Sequence, residues 1–184
     1  CGAIPQLLHR RMGWGEGGRI RRRGLAAAAV GATTIRAAVL GGLGGSTRRF
    51  AIVDDSMRPT LHPDDWVIAR RRRDMPARGD VVIFTHPSYP DWTLVKRVIG
   101  LPGERITVAG GQIHIDDRVL AEPWADEPLF PESRDDVPDD SVWVMADRRA
   151  VSSVDSRVLG PIPIEDVEWT VVARYWPPRR AGRV

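Results

Sequence analysis

Leu94-Val95-Lys96-Arg97-Val98-Ile99-Gly100 reads as a β-strand: a short apolar run, rich in β-branched residues, that stops at a glycine. Alternation along such a strand turns Lys96 toward the interior and Arg97 toward water. Lys96 is the only lysine in the chain, and all the other members of the 27 Lys+Arg are arginine. An arginine keeps its proton at any ordinary pH, whereas a lysine can lose one when burial disfavours the ammonium. The single lysine is therefore the basic residue with the most chemical latitude, and a strand interior is where that latitude is gained.

Working outward, further runs of the same kind occur at Phe50–Val53, Trp66–Ala69, Asp80–Thr85, Arg105–Val108, Gln112–Ile115, Ser141–Met145 and Glu168–Tyr175, with the Lys96 run starting at Thr93. Gly110-Gly111 predicts a tight hairpin turn, and Asp116-Asp117 marks the next turn. Glu122 to Asp140 is rich in proline and acid and reads as an irregular, solvated excursion. With 18 Gly and 15 Pro between short apolar runs, the expected fold is mainly β, built of antiparallel sheets. Hydrophobic residues make up 42% of 184, enough for one packed domain.

The beginning of the chain differs. Residues 1–24 are basic and glycine-rich and are expected to be disordered. Leu25 to Leu43 is rich in Ala, Gly, Val and Leu and about long enough to cross a bilayer, so 25–45 is a candidate membrane-anchor helix. Its six Leu, Val and Ile residues each favour insertion by roughly 0.3–0.6 kcal/mol, and Arg36 opposes it by about 2.5–3.5 kcal/mol, so the balance lies near zero. An Ala-rich helix outside the membrane is the alternative. If the segment spans, the arginines before it hold the N-terminus in the cytoplasm and put the rest on the outer side of the plasma membrane.

The formal charge is only +3, and the basic excess sits mainly in the first 50 residues, which argues against a nucleic-acid partner for the whole domain. Cys1 is the sole cysteine, so no intrachain disulfide and no cysteine metal cluster can form. His62 and His86 adjoin prolines and read as loop residues, while His114 alternates with Ile113 and Ile115 on a strand. No zinc-ligand spacing and no phosphate-binding glycine pattern is present, so no cofactor is expected.

Ser56-Met57-Arg58-Pro59-Thr60-Leu61 follows the first strand. A serine hydroxyl is a weak nucleophile until a neighbouring base takes its proton. A neutral lysine can be that base. Lowering its pKa from about 10.4 to about 7–8 corresponds to roughly 4 kcal/mol, which an apolar strand site can supply.

Four blocks, SMRPTL at 56–61, GDVVIF at 79–84, KRVIGLPGE at 96–104 and DSRVLGPI at 155–162, stand in the order found in type I signal peptidases. The chain resembles that family of membrane serine proteases over most of residues 50–176. The resemblance implies a signal-peptidase-type β fold, with a catalytic domain at 46–178 and a tail at 179–184. It implies that Ser56 is the nucleophile, Lys96 the general base, and the Ser56 backbone N–H an oxyanion donor. It puts Met57 beside the nucleophile in the substrate groove, makes Ser153 the residue that orients the lysine amine, and makes Asp155 and Arg157 a structural ion pair. Gly79 and Asp80 are expected to shape a turn under these strands. The implied partners are membrane lipid and exported preproteins with small residues at the first and third positions before the cut. Shallow apolar pockets for those residues are expected from Ile52, Val53, Ile83 and Val95.

Two departures stand out. The family's last block usually opens Gly-Asp-Asn, but here it reads Ala146-Asp147-Arg148 with one extra residue before Ser153, which leaves Ser152 as a competing assignment. Two positions before the nucleophile the family usually has Ser or Gly, and here Asp54 stands there. A carboxylate facing the oxyanion would repel its developing charge. The alternatives are a degenerate, non-catalytic membrane-tethered binding module and a self-cleaving or conjugation-associated Ser/Lys peptidase.

Overall fold

The computed structural model describes residues 46–125, 127–129, 131–150 and 154–184. The basic segment 1–24, the candidate anchor at 25–43 and Ser152 and Ser153 lie outside the described residues. No helix among the described residues is long and apolar enough to cross a membrane.

The strands are β1 (Thr47–Ala51), β2 (Trp66–Arg71), β3 (Val81–His86), β4 (Tyr89–Gly100), β5 (Arg105–Ala109), β6 (Gln112–Ile115), β7 (Arg118–Val119), β8 (Ser133–Asp136), β9 (Ser141–Met145), β10 (Ile162–Pro163), β11 (Val167–Trp176) and β12 (Gly182–Arg183). One short helix, α1 (Ser156–Leu159), follows β9. The larger sheet runs β1-β2-β11-β3-β4-β9-β10, with β12 paired to β11, and the smaller runs β7-β6-β5-β8. All strand pairings are antiparallel, as the short apolar runs predict.

Strand β4 is the centre of the architecture. It is the longest strand, pairs with β3 on one side and β9 on the other, and ends where the smaller sheet begins. Both of its faces are covered. Val95 joins a core with Phe50, Leu61, Val81, Ile83 and Trp169. Leu94 and Val98 join another with Val82, Phe84, Val142 and Val144. Ile99 reaches a third core, shared with Ile106, Ile113, Trp143 and Met145, which bonds the smaller sheet to the larger. The expectation that Arg97 faces water fails for this reason. Alternation does separate Lys96 from Arg97, but with protein on both faces each side chain ends up inside.

Three other expectations change. Ser133–Asp136, read as part of an irregular excursion, forms β8 against β5. Its sequence, SRDD, is almost wholly exposed and carries no apolar alternation, so it is an edge strand disguised by charge. His86, read as a loop residue, closes β3 and is buried by the rings of Tyr89 and Trp92. The lysine strand begins at Tyr89 rather than Thr93, because His86 and Tyr89 pair across a short turn. The predicted Gly110-Gly111 hairpin joins β5 to β6, with φ of 58° and 79°, a left-handed pair that glycine adopts without strain. Residues 182–183 return as β12 onto β11.

Candidate active site

The chain leaves β1 and makes a compact loop before β2. The loop is tied at its base by Ile52 N–H to Asp65 O (2.8 Å) and Asp64 N–H to Ile52 O (2.9 Å). Within it, Leu61 N–H donates to Met57 O at 2.7 Å, so residues 57–61 close a hydrogen-bonded turn. Met57 and Leu61 are fully buried in the core that holds Val95, and they anchor this turn. Ser56, just before the turn, is thereby pressed against β4 with only 2% of its surface exposed.

Lys96 Nζ lies 3.1 Å from Ser56 Oγ. Lys96 is fully buried, and burial pushes its ammonium below the ordinary lysine range. The carboxylates of Asp54, Asp155 and Asp147 pull the other way, while Arg157 adds to the lowering. A hydroxyl beside an amine that sheds its proton readily is what base-assisted nucleophilic attack requires.

Asp54 provides the second contact to the serine. Its Oδ1 accepts from Ser56 Oγ at 3.0 Å and from the Ser56 backbone N–H at 3.2 Å. The N–H expected as an oxyanion donor is therefore occupied by a carboxylate of the same loop.

The wall of the site is built from β9 and the segment after it. Asp155, fully buried, caps α1 and accepts from Arg157 N–H (3.1 Å), Arg157 Nε (2.9 Å), Arg157 Nη2 (2.8 Å) and Ala146 N–H (3.2 Å). Ser156 Oγ accepts from Val144 N–H at 2.9 Å. The Asp155/Arg157 pair thus clasps the end of β9 and fixes the segment that continues into the site. From that segment Arg148 N–H donates to Ser56 O at 2.9 Å, and the Arg148 guanidinium pairs with Asp55. Arg148 stands where the family usually has asparagine, and in this chain it ties the departing block to the residue before the serine.

Beneath the site lies a network not anticipated from the sequence. Asp147 takes Arg97 in two bonds, Nε to Oδ1 at 2.8 Å and Nη2 to Oδ2 at 2.7 Å, and a third from Thr60 Oγ1 at 2.6 Å. Arg97 Nη1 donates to Gly79 O at 2.7 Å, and Gly79 sits at φ 91°, in the turn expected there. Thr60, Arg97 and Asp147 are separated by 37, 50 and 87 positions in the chain, so no local spacing reveals them.

Not every expected residue lies where the resemblance put it. Met57 is in the core under the loop, with no open surface. Of the four expected pocket residues, Ile52, Ile83 and Val95 are sealed in the core, and only Val53 presents area to solvent. The inner faces of β3 and β4 are consumed by packing, so they do not form an open pocket wall.

Comparison with known proteins adds the family. The model for signal peptidase, peptidase S26, matches residues 25–176. The chain belongs to the signal peptidase family. It is thus a serine-type peptidase by descent. A signal peptidase I from Leptolyngbya laminosa is 34% identical over 145 residues, covering 72% of this chain and 70% of that protein. A thylakoidal processing peptidase 1 from Arabidopsis thaliana is 33% identical over 146 residues, covering 72% of this chain and 43% of that protein. A mitochondrial ATP-independent inner membrane protease subunit 1b from the same plant is 32% identical, covering 66% of each. The matched region of this signal-peptidase-family chain includes both Ser56 and Lys96.

Proposed function

We propose that this chain removes signal peptides from exported preproteins, with Ser56 as nucleophile and Lys96 as general base. The observation that carries the reading is the 3.1 Å approach of a fully buried lysine amine to a buried serine hydroxyl in a chain of the S26 family.

In the first half-reaction, neutral Lys96 accepts the Ser56 proton as Oγ attacks the carbonyl before the scissile bond. The tetrahedral oxyanion draws on backbone N–H donors, with that of Ser56 as the proposed one. The Lys96 ammonium then gives its proton to the leaving amine, and an ester to Ser56 remains. In the second half, water gives a proton to Lys96 as it attacks the ester, Lys96 returns that proton to Ser56 Oγ as the acyl bond breaks, and the signal peptide leaves as the free acid, the mature protein having already departed with the amine. Asp155 and Arg157 support this by fixing the β9 end, and Ser153 is the proposed partner that orients the amine. The substrate preference is for small residues at the first and third positions before the cut. The segment 25–43 is the proposed anchor, with the β domain on the outer side of the membrane; the inner membrane protease among the relatives supports a membrane setting.

The test is cleavage of a preprotein with an Ala-X-Ala site by the 1–184 chain in detergent, beside Ser56→Ala and Lys96→Arg. The parent is expected to cleave. Both variants are expected to lose about 10³-fold or more in kcat/KM, because arginine keeps the charge but cannot take a proton. Cleavage by Lys96→Arg at the parent's rate would remove the general-base role.

A further inference from the structure

Three carboxylates influence the Lys96 ammonium, and two of them are committed to arginines. Asp155 binds Arg157, and Asp147 binds Arg97. Asp54 has no such partner among the described residues; its Oδ1 is spent on Ser56.

A hydroxyl has one proton to give. With Lys96 donating to Ser56 Oγ and Asp54 accepting from it, that proton points at the carboxylate and away from the amine. Attack requires the reverse, with the hydroxyl proton aimed at a lysine lone pair. The same Asp54 oxygen holds the Ser56 N–H, the proposed oxyanion donor. Its charge also favours the protonated form of Lys96. Each of these effects opposes the reaction. Asp54 is only half-buried and next to exposed Val53, so its side chain has a way out that leaves the core intact.

We propose that Asp54 is a positioning residue that acts as a brake: it holds Ser56 in a resting arrangement, and acyl transfer begins only when a bound substrate carbonyl displaces it from the Ser56 N–H. This rests on the Ser56/Lys96 reading. The free enzyme is thereby kept poorly reactive toward water-borne acyl groups, and the substrate itself completes the site. Among the described residues the charged groups that act on Lys96 are Asp54, Asp155, Asp147 and Arg157, and only Asp54 is altered in the test.

The experiment compares the full 1–184 chain in detergent with Asp54→Asn, which removes the charge and keeps an acceptor, Asp54→Ala, which removes both, and Ser56→Ala on the Ala-X-Ala preprotein. It reads kcat/KM against pH, the melting temperature, and labelling of Ser56 by a serine-reactive probe. One oxyanion donor is worth about 10²–10³ in rate, so freeing the Ser56 N–H in Asp54→Ala is expected to raise kcat/KM about tenfold or more near neutral pH. The acid limb of the profile should move to lower pH in both variants, because Lys96 then loses its proton more easily. A merely structural role would change the melting temperature and leave that limb in place. Active parent enzyme with no gain in either variant, or with an unmoved acid limb, overturns the brake while the dyad stands. Ser56→Ala cleaving as well as the parent overturns the dyad. Silence of parent and both Asp54 variants, with Ser56 unlabelled in folded protein, overturns both.

Discussion

Lys96 and Arg97 are neighbours on one strand, both basic and both buried, yet their surroundings differ in every respect that matters. Arg97 meets Asp147 in two bonds, Gly79 O, Thr60 Oγ1 and the face of Trp124 at 4.7 Å. Its charge is permanent, and the protein has saturated it. The Lys96 side-chain nitrogen has one hydrogen-bond partner among the described residues, the Ser56 hydroxyl. Its charge is removable, and the protein has left it poorly compensated. A satisfied buried cation holds structure together, whereas an under-satisfied one is held near the point of losing its proton, which is a property useful in chemistry.

The same edit at the two positions should therefore have opposite results. Arg97→Met strips the partner from fully buried Asp147 and is expected to cost about 3–5 kcal/mol of stability, measured by chemical denaturation. Lys96→Met removes the burden of a buried ammonium and is expected to melt higher than the parent near neutral pH, while cleaving nothing. The sign follows from linkage. Burial lowers the folded-state pKa of Lys96, so the unfolded chain binds more protons between that pKa and the ordinary lysine value. Parent stability therefore rises as pH climbs through that window, and the advantage of Lys96→Met shrinks with it. Equal losses at the two positions would break the contrast.

A smaller effect sharpens it by moving away from the charges. Gly100 ends β4 at the seam between the sheets, where an added Cβ would come within 2.5 Å of Ile106 Cδ1 and 2.9 Å of Trp143 Cβ. Gly100→Ala is expected to cost about 1–3 kcal/mol by overpacking, with kcat/KM unchanged below the melting range. A large loss of activity in a still-folded variant would mean that the seam, and not only the loop around Ser56, sets the dyad.

Much of this was legible in the sequence because the relevant signals are local. Strand periodicity and glycine turns located the main strands and the β5–β6 hairpin, and the serine and lysine blocks located the pair that the fold brings to 3.1 Å. What was not legible depended on partners distant in the chain. Edge strand β8 has charge instead of apolar alternation and owes its place to pairing with β5, including Arg105 with Asp136. Arg97 reads as a solvated residue until Asp147 and Thr60 arrive from elsewhere. Asp54 could be flagged as unusual, but whether its carboxylate turned toward the serine was a matter of loop conformation, which spacing does not encode.

The single lysine makes the central claim directly measurable. In protein labelled with ¹³Cε-lysine, one resonance reports Lys96 without assignment, and its shift against pH gives the titration of the proposed base. A midpoint well below the ordinary value of about 10.4, coinciding with the acid limb of kcat/KM, is the predicted result. A midpoint at that ordinary value, with cleavage nonetheless proceeding at neutral pH, would contradict Lys96 as the general base.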